Sequence, residues 1–162
     1  MFSQTYKYKS TTVAKYLLSR AIEEGIIMNM TKLQKLLYIA YGTYLAIKED
    51  RLTDESPKAW PYGPVFPTTR KKLLTIDFND YSINGDTEFD PISKDKEIND
   101  LVNLVLRLFG SWSSGQLVEW THAIGSPWDK TRYFPNFQWN QTIPDDYIKD
   151  YFSDVIEFDD EK

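Results

Sequence analysis

The chain has 162 residues and a formal net charge of −5, with 41% hydrophobic, 27% charged and 15% aromatic residues. That length suits one domain with its own core, and the balance is that of a globular protein rather than a disordered chain. The absence of cysteine excludes disulfides, thiolate catalysis and cysteine-ligated zinc, and the negative balance argues against a general nucleic-acid binder, which needs a basic face.

Residues 1–11 read as a polar, irregular segment in which Tyr6 and Tyr8 are candidate anchors. Their composition lacks the apolar core of a signal peptide, and no run of about 18 apolar residues follows, so no membrane span is predicted. With no cysteines, a reducing, cytoplasmic setting is expected. A first helix is predicted over 12–24, because Val13, Leu17 and Ala21 recur every four residues and Tyr16 and Ile22 widen the stripe. Gly25 is its expected stop. A second helix is predicted over 31–48, opened by Thr31 and Gln34 at capping-box spacing. Leu33, Leu36, Leu37, Ala40, Tyr44 and Ile47 line one face, and Tyr38, Ile39, Tyr41 and Leu45 add apolar area on the flanks. A helix apolar around most of its circumference is expected at the centre of the fold. Gly42 inside it costs about 1 kcal/mol relative to alanine, which points to close approach by another element.

Four of the eight prolines, Pro57, Pro61, Pro64 and Pro67, mark the next stretch. Proline fixes φ, removes a donor and pushes its predecessor towards extended geometry, so 58–67 is predicted as a stiff extended connection with a turn at Gly63-Pro64. It can be neither a helix interior nor a central strand. Trp60, Tyr62 and Phe66 hang large rings from this frame. They either seal a gap between helices or form a docking surface.

A short helix over 70–74 follows, with Thr68 or Thr69 as its cap. Asn84-Gly85 is a two-residue turn signal, so 81–83 and 87–89 read either as a small hairpin or as a loop. A helix over 94–109 is predicted from Ile98, Leu101, Val102 and Val105, stopped at Gly110. Ser113 and Gln116 form a second capping-box pair, opening a helix that reaches about 122. Ser126-Pro127-Trp128-Asp129 carries a cap, a proline at the first helical position and an acid at the positive end. Residues 133–142 form an aromatic loop, and Pro144-Asp145-Asp146 opens a last helix with Tyr147, Ile148, Tyr151 and Phe152 on its apolar face. The acidic tail, 157–162, is expected to fray. The predicted architecture over 12–156 is mainly α: a compact single-domain bundle of about six helices, with a small β element near the proline segment or at 81–89.

The chemistry-bearing residues are sparse. His122 is the only histidine, so multi-histidine metal sites are excluded, and no phosphate loop, dinucleotide fingerprint, nucleophile elbow or His-Glu-x-x-His motif is present. The simplest role for His122, between Trp120 and Trp128, is a buried or half-buried hydrogen-bonding residue tying a helix end to the next loop; a general base is the competing role. The acids of 77–97 lack calcium-loop spacing, and Asp145 and Asp146 fit helix-dipole complementarity. No catalytic residue, cofactor or metal is expected, and the surplus of Tyr and Trp suits a binding protein.

Four blocks then occur in order: Leu33-Gln34-Lys35-Leu36-Leu37-Tyr38; Trp60-Pro61-Tyr62-Gly63-Pro64-Val65; Leu117 with Trp120-Thr121-His122; and Ser126-Pro127-Trp128. With them the chain resembles the Panacea domain, also called the SocA-like or GepA-type antitoxin domain, over roughly 12–152. The resemblance implies a mainly helical fold and a place in a two-gene toxin–antitoxin pair, in which the domain binds a protein toxin and neutralises it. Within the family one member instead delivers its toxin to a protease, and others are carried by phages and mobile elements; delivery to a protease, or binding and blocking a host factor, is therefore the alternative expectation for this chain. The family has no agreed catalytic residues. Its motif residues here are Leu33, Lys35, Leu36, Tyr38, Trp60, Gly63, Pro64, Thr121, His122, Pro127 and Trp128. The acidic balance fits a basic toxin. The expected contact residues are Trp60, Tyr62, Pro64 and Phe66, with Tyr133, Phe134, Phe137 and Trp139, at least one of whose rings should be exposed. Neither membrane nor direct nucleic-acid binding is expected.

Overall fold

The structure, a computed structural model, describes residues 5–160, with side chains described through Val155. The N-terminal segment is not irregular: strand β1 (Tyr6–Tyr8) pairs in parallel with β2 (Arg51–Thr53). Tyr8 acts as an anchor, its hydroxyl donating to Asp95 Oδ2 at 2.7 Å. Helix α1 (Ser10–Glu23) buries the predicted stripe of Val13, Tyr16, Leu17 and Ala21, and the chain leaves it through Gly25 at φ +76°.

The most apolar stretch becomes the central helix α2 (Met30–Lys48), in which every residue from Lys32 to Leu45 is buried. Its start corrects the sequence reading. Asn29 is the cap, its side chain accepting from Lys32 N at 2.8 Å. Gln34 is not a capping-box partner but is drawn inward: its Oε1 accepts from Phe66 N at 2.7 Å and its Nε2 donates to Phe66 O at 3.4 Å. The buried Phe66 N–H would otherwise lack an acceptor, and leaving it unpaired costs more than giving up a second cap bond at the exposed start of α2.

The proline segment folds into a hairpin of β3 (Lys58–Trp60) and β4 (Gly63–Val65), which β5 (Gln141–Thr142) extends in the order β4-β3-β5, all antiparallel. The turn is Pro61-Tyr62, not Gly63-Pro64, and Gly63 takes the left-handed region at φ +111°. The expectation that 58–67 supplies no central strand is corrected: β3 is the central strand of this sheet, because the prolines flank Lys58–Trp60 and Pro64 sits on the edge strand. The hairpin is therefore here and not at 81–89, where a 3₁₀ turn (Thr87–Phe89) and the short α4 (Asp90–Ser93) follow α3 (Pro67–Lys72). The start of α3 is capped from outside its own sequence. The Glu55 carboxylate accepts from the backbone N–H groups of Thr68 and Thr69.

Helix α5 (Lys96–Phe109) is capped by Asp95. Helix α6 (Ser114–Thr121) carries the predicted Ser113–Gln116 capping box with both bonds made. Helix α7 (Pro127–Thr131) starts at the Ser126 cap, and α8 (Asp145–Asp160) closes the chain. Eight α-helices and short strands among the described residues make the fold mainly α, with more and shorter helices than the six expected. Backbone of the acidic tail continues α8 to Asp160; the remainder of that tail lies outside the described residues.

The core lies around α2. Helix α8 packs along it, and a Cβ on Gly42 would run into the Phe152 ring, which is the close approach that the glycine implied. Helices α5, α6 and α1 cover the other sides. No helix among the described residues is long and apolar enough to cross a membrane.

Candidate protein-interaction site

The four sequence blocks meet at one joint under the hairpin. Lys35, 1% exposed, projects from α2 and donates from Nζ to Pro64 O at 3.1 Å. Burial pushes its ammonium down to a pKa of about 8. A Cβ on Gly63 would lie 2.8 Å from Thr121 Oγ1, 2.9 Å from Lys35 Cε and 3.6 Å from His122 Nε2. Only glycine meets both the space and the φ of +111°. Trp128 locks the joint from outside, its Nε1 donating to Trp60 O at 2.8 Å. His122 stacks on Trp128 at 3.9 Å with the rings 7° from parallel.

His122 does not hydrogen-bond as expected. Its Nε2 is buried without a partner, because it faces the Gly63–Lys35 contact and not a loop carbonyl. Burial lowers its pKa, and the nearby Lys35 and Arg132 charges lower it further against the opposing pull of Asp129. Thr121 Oγ1 donates to Val118 O at 2.8 Å, so it is engaged in the helix and not aimed at the imidazole. This geometry presents no nucleophile–base pair. Tyr38 is also buried with an unpartnered hydroxyl. Among the described residues no group of histidine and carboxylates could hold a metal ion.

Above the joint is an aromatic face. Trp60 Nε1 donates to Asn140 Oδ1 at 2.9 Å, and Asn140 N donates to Ala59 O at 2.8 Å, which pins the aromatic loop to β3. Asn136 and Asn140 sit at φ +61° and +81°, a region asparagine tolerates better than other side chains. The loop therefore turns twice and lays Trp139 against Trp128 at 6.2 Å and Phe137 edge-on to Trp139 at 5.0 Å. Arg132 lies over both Trp128 and Tyr133, 5.0 and 4.9 Å from their centroids, and Arg70 lies 5.7 Å over Trp60. Arg132, Tyr133, Phe137, Gln138 and Trp139 line a shallow basin of about 230 Å³.

Of the expected contact residues, Tyr62, Tyr133 and Trp139 are exposed, at 76%, 71% and 49%. Trp60, Phe134 and Phe137 are half-buried. Pro64 and Phe66 are corrected: both are buried, Phe66 completely, because Lys35 and Gln34 hold their backbone against α2. The segment thus divides, with one part sealing the helices and the other facing out. Arg70, Arg132 and Asn140 were not singled out in the sequence. The available signal was cations interleaved with rings, as in Lys130-Thr131-Arg132-Tyr133.

The family profile described as "Antitoxin SocA-like, Panacea domain" matches residues 33–129. Antitoxin SocA of Caulobacter vibrioides (strain NA1000 / CB15N) is 34% identical to this chain over 151 residues, covering 86% of the chain and 80% of that protein. No solved structure matches.

Proposed function

Because the chain belongs to the antitoxin SocA-like, Panacea domain family, we propose that it is the antitoxin of a two-gene pair, binding and neutralising a protein toxin encoded by a neighbouring gene in the cytoplasm. The observation that carries this reading is the similarity to an antitoxin along most of both chains. The surface supports it. Tyr62, Tyr133 and Trp139 expose amphipathic rings on a backbone frame held by hydrogen bonds, and such anchors give contact energy at low entropic cost. The chain acts as a binder and not as an enzyme, since the polar groups of the joint face inward and are used in packing.

The test is co-expression with the product of the adjacent gene, read by pull-down and by growth. A stable complex with rescued growth is the expected result. Tyr133→Ala and Trp139→Ala should each weaken the complex by about 2 kcal/mol. Rescue without a complex would replace neutralisation by binding with delivery to a protease. Neither complex nor rescue would overturn the reading and leave a host factor as the target.

A further inference from the structure

The chain is acidic, but its charge is not evenly spread. Residues 56–76 and 130–144, which build the hairpin with α3 and the aromatic loop, contain six cations and no carboxylate: Lys58, Arg70, Lys71, Lys72, Lys130 and Arg132. The rest of the chain holds 13 cations against 24 carboxylates, a balance of −11. The structure sets three of the six over rings and ties a fourth to β5. Arg70 lies over Trp60, Lys130 over Tyr147, and Arg132 over Trp128 and Tyr133; Lys58 Nζ donates to Thr142 Oγ1 at 2.7 Å. Among the described residues, only Arg132 of these four has a carboxylate partner, Asp129 at 3.3 Å. Every other ion pair of the described residues lies elsewhere on the molecule.

We propose that the aromatic face receives an acidic segment of the toxin, whose carboxylates pair with Arg70, Lys130 and Arg132 while its apolar side chains pack on Tyr62, Tyr133 and Trp139. This rests on the antitoxin reading and reverses what the net charge alone suggests. A guanidinium held over a ring is already ordered and partly desolvated, so a carboxylate arriving there meets little further entropic cost. Like-signed charges gathered with a single internal carboxylate partner among them raise the local potential and steer an oppositely charged partner. Nucleic acid is also anionic and also stacks on rings. It is the less favoured ligand here, because the surrounding −11 repels a long polyanion and four cations release few counterions.

The test uses the full chain and the product of the adjacent gene. Arg70→Glu/Lys130→Glu should weaken the complex at least tenfold, and the wild-type affinity should fall as salt is raised. Asp80→Lys/Glu88→Lys changes the net charge in the opposite direction. These exposed carboxylates lie on the 76–92 connection, which packs on α1 through Ile83, and affinity should stay within about threefold. Thermal melting of each free variant separates a folding defect from a binding one, and Arg70→Gln/Lys130→Gln should give an intermediate loss. A wild-type complex that is indifferent to the Glu variants, or is weakened instead by the Lys variants, overturns the proposal and leaves the antitoxin reading standing. No wild-type complex and no rescue overturn both. Quenching of the exposed Trp139 by a 20-nucleotide single strand, with the protein complex indifferent to charge reversal, would assign the face to nucleic acid and overturn the acidic-segment proposal.

Discussion

Lys35 ties the separate sequence blocks to one another, and it does so as a buried cation with no carboxylate bonded to it. Its pKa falls from the ordinary 10.5 to about 8, a difference of about 3 kcal/mol between its two protonation states. The folded protein therefore carries the full cost of the buried charge below pH 8. Between pH 8 and 10.5 the unfolded chain binds more protons than the folded one, so this cost is relieved as pH rises. Lys35→Met removes the charge, and the stability difference between variant and wild type should shift in favour of the wild type from pH 7 to pH 9.5, as read by urea denaturation. A gap independent of pH would mean that burial does not lower the Lys35 pKa, the ammonium staying charged in the folded and unfolded chain alike. His122 has the same sign in a lower window. Its folded pKa lies below 6.5, so the unfolded chain takes the proton first and stability is lost as pH drops below that value. His122→Phe keeps a ring on Trp128 and should flatten the acid side of the profile; an unchanged profile would remove His122 as its cause. The sequence marked both residues as motif positions without revealing these roles. The pattern that made α2 apolar on all sides implied neighbours all round, but it could not say that Lys35 would be enclosed with the hydrophobic residues.

Elements were legible where their signals are local. The Ser113–Gln116 box, the Ser126-Pro127 start and the apolar stripe of α5 all stand where the sequence places them, because cap and stripe lie within one or two turns of each other. The misread elements depend on distant partners. Strand β1 exists only because Arg51–Thr53 pairs with it, and Gln34 leaves the cap of α2 because the Phe66 N–H needs an acceptor there. The start of α3 belongs to the same class. Glu55 accepts from Thr68 N and Thr69 N, and also from the hydroxyls of Thr69 at 3.0 Å and Ser10 at 3.1 Å, joining the starts of α1 and α3. Glu55→Ala leaves those donors unsatisfied and should cost about 2 to 3 kcal/mol, with faster amide exchange at 68–70 before the rest of the chain. Exchange there equal to wild type would show that proline at the first position of α3 is sufficient to hold it.

At the scale of the molecule, the two halves of the chain are closed on each other by α8. Tyr41 donates to Asp145 Oδ1 at 2.6 Å, and Arg51 donates from Nε to Asp145 Oδ2 at 2.9 Å, so the helix start is anchored to α2 and β2. One turn and more along, Phe152 fills the space left by Gly42 and meets Tyr38 and Trp120 edge-on at 5.5 and 5.9 Å. Trp120 in turn contacts Phe109 of α5 at 5.2 Å. This ring chain runs from α8 through α6 to α5, and α2 is common to all three, so no half retains a complete core without the last helix. The hairpin depends on it as well, since Ile143 N donates to Pro57 O immediately before α8 and β5 extends β3. We expect one cooperative unfolding transition, with near-ultraviolet and far-ultraviolet circular dichroism changing together. A chain ending at Ile143 should keep some helix but lose the fixed near-ultraviolet signal of its rings and any sharp transition. If that shorter chain melts cooperatively with native ring signals, α8 is an attachment to a complete core, and the Tyr38–Phe152 and Trp120–Phe152 contacts contribute packing without holding the fold together.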